Sequence, residues 1–199
     1  SHANLASNAQ VLAEAWAFSA EDVLLHALPV FHAHGLFVAG HVSLLSGAVM
    51  LWQDRFDAAR VMALLPQATV MMGVPTFYTR LLDRPDFGRD TCRSLRLAIS
   101  GSAPLLAETW REFERRTGHA ILERYGMSEI LMHTGNPLRG ERRPGTVGLP
   151  FAGSQVRIVD ALDRDLPAGG IGAVLVKGPN VFAGYWRMPG KNKEEFTTD

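Results

Sequence analysis

The sequence predicts an α/β fold: a largely parallel sheet flanked by helices (residues 1–140), followed by a smaller β-rich subdomain (141–199) that is incomplete. Three observations carry this. Strand-like apolar runs alternate with helix-periodic segments up to about residue 130, the pattern of parallel strands joined by crossover helices. Residues 134–150 are then rich in Gly, Pro and Arg. Beyond them, two apolar or alternating stretches follow, with no helical pattern until Lys191.

Each element has its own signal. Leu5, Ala9, Leu12 and Trp16 recur at helical spacing, with Asn4 placed to cap. Val23 to Leu28 is an apolar run stopped by Pro29, a buried strand. Gly35 to Leu45 reads as an apolar helix closed by Gly47, and Ala48 to Trp52 as a strand. Asp57 caps a helix through Leu65 that Pro66 stops. Thr69 to Val74 is β-branched and apolar, hence a strand, and Pro75 suits the first position of a helix reaching about Asp83. Leu95 to Ile99 is a strand; Leu106, Trp110 and Phe113 mark a helix ended by Gly118; Ala120 to Tyr125 is strand-like. In the tail, Ser154 to Val159 and Ala173 to Val176 read as strands separated by Asp163 to Gly172.

Bulk properties exclude some functions. Lys+Arg and Asp+Glu number 20 each, so no net field favours nucleic acid or an anionic membrane surface. No apolar run reaches membrane-spanning length. The single cysteine, Cys92, precludes an intrachain disulfide and fits a reducing, cytoplasmic location. The chain opens at Ser1 without a Met and closes in a charged, helix-like stretch at Thr197–Asp199, so the expectation is an excised piece of a longer protein.

Four segments place glycine, hydroxyl, aromatic and acidic residues where strands should end, the edge at which open parallel sheets bind ligands. They are LPVFHAHG (residues 28–35), GVPTFYTRLL (73–82), ISGSAPL (99–105) and ERYGMSE (123–129). In the last, Tyr125 offers a ring for a base to stack on, Gly126 a close backbone approach, Ser128 a donor to phosphate and Glu129 a ligand for a hard cation. Read without context, the same residues also describe a strand end, a turn and a solvated carboxylate.

Together, in this order, the four segments resemble the core motifs of the adenylate-forming superfamily, which includes acyl-CoA synthetases, adenylation domains of peptide synthetases and luciferases. SHANL (1–5), GTVGLPF (145–151) and KGPNVFAGYW (177–186) are similar to further signatures, so the resemblance spans essentially the whole chain. Within the superfamily the wording is most similar to that of malonyl-CoA synthetases. The resemblance implies activation of a small-molecule carboxylate by ATP to an acyl-adenylate and its transfer to CoA, with Mg²⁺, in fatty acid metabolism. It implies that Tyr125 stacks on adenine, that Ser128 (usually Thr in the family) contacts the α-phosphate, and that Glu129 holds Mg²⁺. It further implies that Gly101, Ser102 and Ala103 line the adenine and acyl pockets, with Glu123, Arg124, Gly126 and Met127 alongside the nucleotide. His32 matches a position near the acyl carboxylate and the thioester step. Thr76, Arg80, Ser102 and Met132 complete the substrate-binding set. The Gly-rich phosphate loop is expected before Ser1, and the ribose-binding Asp and a mobile domain with a catalytic Lys after Asp199. The 199 residues alone are therefore expected not to form an acyl-adenylate.

Arg80 gives the sharpest substrate inference. It shares a helix face with Thr76 at the end of a strand, and guanidinium grips a carboxylate in a bidentate way. The expectation is that Arg80 reads the distal carboxylate of malonate or methylmalonate; the alternative is a surface Arg paired with Asp83 or Asp86. Fatty or aryl acids, and a catalytically silent nucleotide-binding module, are the rival readings. Ala33, where those synthetases carry a larger hydroxyl residue, leaves room for a branched acid. His32 and His34 lack a neighbouring carboxylate or Cys, which argues against zinc, and His34 reads as structural. Unpaired strand edges in the β-rich tail open a route to a homodimer.

Overall fold

The computed structural model describes residues 1–197; Thr198 and Asp199, the last residues of the charged tail, lie outside the described residues. Helix α1 (His2–Ala15) starts from Ser1, whose Oγ accepts from Asn4 N while the Asn4 side chain accepts from the Ser1 amine (2.8 Å). This reciprocal pair makes Ser1 the cap and Asn4 the third helical residue, which corrects the sequence expectation. The Asn4 amide is thereby freed to donate to Pro179 O (2.7 Å) and Val181 O (2.8 Å).

Strand β1 (Val23–His26) leads into a π-helical segment, His34–Gly40, continuous with α2 (His41–Ser46), which ends where Gly47 turns left-handed at φ 68°. Strand β2 (Val49–Trp52) follows. Helix α3 (Ala58–Leu64) is capped by Asp57, whose Oδ1 accepts from Arg60 N (2.9 Å), and runs into a 3-10 turn, Leu65–Gln67. Then come β3 (Val70–Gly73), α4 (Pro75–Leu82), β4 (Leu97–Ser100) and α5 (Ala107–Thr117), the last ended by Gly118 at φ 81°. Strands β5 (Ile121–Met127), β6 (Leu131–Gly135) and β7 (Leu149–Pro150) are consecutive, and β8 (Gln155–Val159) and β9 (Ala173–Lys177) precede α6 (Pro189–Glu195). The helix expected to run to the end of the chain stops at Glu195, with Phe196 extended.

The large sheet has the order β2-β1-β3-β4-β5-β6-β7. Strands β1 to β5 pair in parallel, while β6 and β7 add antiparallel. Strands β3 and β4 are buried at every position, as a sheet covered on both faces requires. Helices α3, α4 and α5 pack side by side, and α1, α2 and the π-helical segment form a second cluster. Between them, Leu24, Val70, Met71, Leu97, Ile99, Tyr78 and Phe113 make a continuous apolar core. Strands β8 and β9 form a separate antiparallel pair.

Because β1, β3, β4 and β5 are parallel, their carboxyl ends share one edge. The registers Gly73↔Ser100 and Ser100↔Glu123 bring the starts of the second, third and fourth motifs level there. The fourth motif departs from expectation. Instead of following a strand, Glu123 to Met127 continue β5 and pair with β6, and only Ser128 to Ile130 form the turn.

At the opposite edge, Asp22 fixes the strand starts. It accepts from Arg96 (Nε 2.7 Å, Nη2 2.6 Å), Thr69 Oγ1 (2.7 Å) and Ser19 N (3.0 Å). Burial raises its pKa, but these donors outweigh burial and hold it below the ordinary 3.8. A depressed carboxylate stabilises the fold above the unfolded-state value and loses that contribution as pH falls through the folded one. Asp22→Asn should therefore lower the urea midpoint at pH 7, with the gap from wild type narrowing below about pH 3.8. A gap independent of pH would show that the charge plays no part.

Candidate functional site

Three cavities open along the carboxyl edge. The first, about 490 Å³, is walled by Phe31, Phe56, Phe77, His32, His34 and Arg80 and reaches Ser102. Its apolar side is built by Phe56 and Phe77, which stack at 4.0 Å. The second, about 340 Å³, holds Ser102, Ala103, Glu123, Arg124, Tyr125 and Gly126. The third, about 520 Å³, is lined by Ser128 and Glu129 with Phe31, Ala33, Ser1 and Asn180. Glu129 and Tyr125 also face a fourth space, of about 390 Å³, beside β8 and β9, which Met127 and Tyr185 line too.

Ser102 joins the first two cavities. It follows β4 and adopts a left-handed backbone, φ 69°, an unfavourable conformation for a residue with a Cβ that is characteristic of functional turns. Its Oγ shares a hydrogen bond with His34 Nδ1 (3.3 Å). His34 is buried; burial first, then the charges of Arg124, His32 and His26, hold its pKa well below the ordinary value, so the ring is neutral. Its Nε2 has no partner among the described residues. His34, expected to be structural, reaches the cavity together with the exposed His32, whose Nδ1 accepts from His34 N (3.2 Å).

Arg124 is the most unusual residue of the site. It is only 3% exposed, and Nε and both terminal nitrogens lack hydrogen-bond partners among the described residues. Burial pushes its pKa down to about 9, so it is still a cation at neutral pH. The guanidinium lies so close to Gly101 that a Cβ there would stand 2.3 Å from its Cζ. A side chain at position 101 would therefore displace the arginine head. A buried, unanswered charge is strongly unfavourable unless something supplies the counter-charge.

The remaining expected residues fall as follows. Glu123 is buried and accepts from Gly145 N (2.9 Å) through Oε1, holding the 137–148 loop against the second cavity; burial raises its pKa. Tyr125 is half-buried between two cavities. Gly126 sits at a β-bulge, where a Cβ would lie 1.9 Å from Leu131 O. The hairpin itself therefore demands that glycine. Ser128 is exposed, and Glu129 is half-buried with Oε1 accepting from Tyr185 OH (3.0 Å). Arg80 is exposed at the rim of the first cavity, without an ion pair among the described residues; Asp86 pairs with Arg84 instead (3.6 Å). Two expected substrate contacts are not brought to any of these cavities: Thr76 is exposed beside them, because one helical turn carries Arg80 but not Thr76 over the opening, and Met132 is buried beneath Gly126. Ala33 faces the Ser128–Glu129 cavity, not the one lined by Arg80. Cys92 is buried and its thiol is pushed up to about 12, consistent with no chemical role.

No helix among the described residues is long and apolar enough to cross a membrane. Residues 1–186 match the model of the family described as AMP-binding enzyme. A mitochondrial malonate–CoA ligase of Mus musculus is 39% identical over 236 residues, covering all of this chain and 40% of the relative. The crystal structure of ATP-bound MatB from Rhodopseudomonas palustris superposes with a TM-score of 0.98 at 53% identity, over all of this chain and 40% of that one. A malonyl-CoA ligase solved as a ternary product complex with methylmalonyl-CoA and AMP gives 0.90 at 36% identity, over 98% of this chain and 43% of that one.

Proposed function

The chain belongs to the AMP-binding enzyme family, and on that premise we propose that it forms the nucleotide- and acyl-binding core of a carboxylate–CoA ligase acting on malonate or a methyl-substituted malonate. The observation that carries the substrate class is Arg124. An acid with a second carboxylate supplies the counter-charge that the protein withholds, and the neutral His34 and Arg80 line the adjoining cavity, which Ser102 joins to the one beside Arg124. A fatty or aryl acid would leave that charge unanswered. ATP and CoA are bound in, or named with, the similar proteins above, and both are proposed as substrates here.

In the first half-reaction a carboxylate oxygen attacks the α-phosphorus of ATP and the bond to pyrophosphate breaks. In the second, the CoA sulfur attacks the acyl carbon and AMP leaves. Both steps depend on positioning and on offsetting negative charge. Tyr125 would carry the adenine against the Ser102–Ala103 turn, and Ser128 would donate to the α-phosphate. Arg124 and Arg80 would hold the distal carboxylate, so that only the proximal one can reach phosphorus. The Glu129 carboxylate has one oxygen free among the described residues, which fits a cation that takes one or two protein carboxylates and completes its shell with phosphate and water. Mg²⁺ bound there would neutralise phosphate charge. A boundary near 140–141 between α/β and β-rich units, a cytoplasmic location and homodimer formation belong to the same proposal.

Acid-dependent ATP–pyrophosphate exchange by the protein at its natural full length tests this reading. Exchange is expected with malonate and methylmalonate and not with octanoate or benzoate, and Arg80→Ala should raise the KM for malonate. Exchange with octanoate or benzoate instead would keep the enzyme class and overturn the substrate. No exchange with any acid would overturn the ligase.

A further inference from the structure

We propose that Tyr185 is a positioning residue that holds the Glu129 carboxylate in its cation-binding orientation. This rests on the reading of Glu129 as the metal-holding carboxylate. The phenol donates to Glu129 Oε1 at 3.0 Å, and Oε2 is left without a partner among the described residues. One oxygen is thus anchored, and Glu129 lines two cavities.

The anchor is itself built. Tyr185 N donates to Asn192 Oδ1 (2.7 Å), and Asn192 Nδ2 donates back to Tyr185 O (3.2 Å), so α6 fixes the tyrosine backbone. Gly184 permits the approach with φ 135°; a Cβ there would press to 3.0 Å from the Asn192 amide. The Phe182 ring meets the Tyr185 ring edge-on at 4.9 Å.

The same segment grips the turn by its main chain. Phe182 N donates to Glu129 O (2.8 Å), and the buried Asn180 amide donates to Ile130 O and Met132 O. Backbone and side chain of Glu129 are therefore both held from 178–192, about 50 residues away in sequence and on a different element. Packing needs only the ring of Tyr185, and the hydroxyl is spent on the carboxylate. Carboxylates that ligate metals are characteristically oriented by such a donor.

Tyr185→Phe in the protein at its natural full length isolates the hydroxyl. It should raise the half-saturating Mg²⁺ concentration about tenfold. Two readouts should agree: ATP–pyrophosphate exchange, and calorimetric binding of Mg–ATP without acid. The melting temperature and the KM for the acid should stay unchanged, and on a Glu129→Gln background Tyr185→Phe should add nothing. The same Mg²⁺ dependence in wild type and Tyr185→Phe overturns the inference, as does a general loss of activity with a lowered melting temperature. If wild type exchanges with no acid, the ligase reading falls while calorimetry still decides on Tyr185: weaker Mg–ATP binding by the variant supports it, and equal or absent binding overturns it.

Discussion

Arg124→Met is expected to stabilise the protein while removing, at its natural full length, the proposed use of dicarboxylic acids. The wild-type head is buried, charged at neutral pH and unpartnered among the described residues. Replacing such a charge by an apolar side chain of similar length stabilises by about 1–4 kcal/mol. That is a rise of roughly 2–4 °C in melting temperature per kcal/mol for a chain of this size. Losing the partner of a buried carboxylate has the opposite sign: about 2–5 kcal/mol in transition-state binding, or ~30- to several-thousand-fold in kcat/KM for malonate. The stability gain should also depend on pH. A base whose folded pKa is depressed destabilises fully below that pKa and ceases to do so as pH rises toward its unfolded value. The gap between variant and wild type should therefore be largest at pH 7 and shrink from about pH 9 upward. Thermal melts at pH 7 and pH 10, beside malonate kinetics, measure both. A destabilised variant that still used malonate would make Arg124 a structural cation and remove the main support for a dicarboxylic substrate.

Gly126→Ala should produce the largest loss of fold. The added Cβ would meet Leu131 O at 1.9 Å and Met132 Cε at 2.5 Å. The first contact is backbone across a hairpin and cannot be relieved by a rotamer change. Overpacking of this kind costs about 3 kcal/mol, or ~6–12 °C of melting temperature. Tyr125, Ser128 and Glu129 flank the same bulge, so Mg–ATP affinity should fall with it. Gly190→Ala is the control: nothing lies within 4 Å of its Cβ position, and the melting temperature should hold. If Gly126→Ala melted like wild type but no longer bound nucleotide, the glycine would serve the ligand's approach, as the sequence alone suggests.

Most of the parallel sheet was legible because local chemistry and tertiary role agree there. Asp57 caps, Pro75 opens a helix, and Gly47 and Gly118 close helices in left-handed conformations, each using only its neighbours. Strand β6 was not legible. Leu131 to Gly135 are buried on both faces, so no alternation marks them. His133 also reads as polar, although its ring bonds Gln155 O (3.0 Å) and lies 3.3 Å from the Asn180 amide. The family wording pointed to Tyr125, Ser128, Glu129, Ser102 and Arg80, and these residues line the cavities at the carboxyl edge. Three features were out of reach because their meaning depends on residues distant in sequence. His34 meets Ser102 across 68 positions, Tyr185 meets Glu129 across 56, and the isolation of Arg124 is a property of everything packed around it.

The polar ties of α1 bear on how the chain acquires its shape during synthesis. Asn8 exchanges hydrogen bonds with Met132, 124 residues ahead, and Asn4 donates to Pro179 O and Val181 O, 175 and 177 residues ahead. Helix α1 therefore waits for a segment made about 175 residues after it. At about 5–20 residues per second, the interval is roughly 9 to 35 seconds. During that time the apolar face that ends in Leu12 and Trp16 can dock, while the Asn4 amide has yet to meet Pro179 and Val181. The turn that presents Glu129 is locked only once Phe182 and Tyr185 have been made, so a nascent chain can bury the centre of the parallel sheet before that turn is fixed.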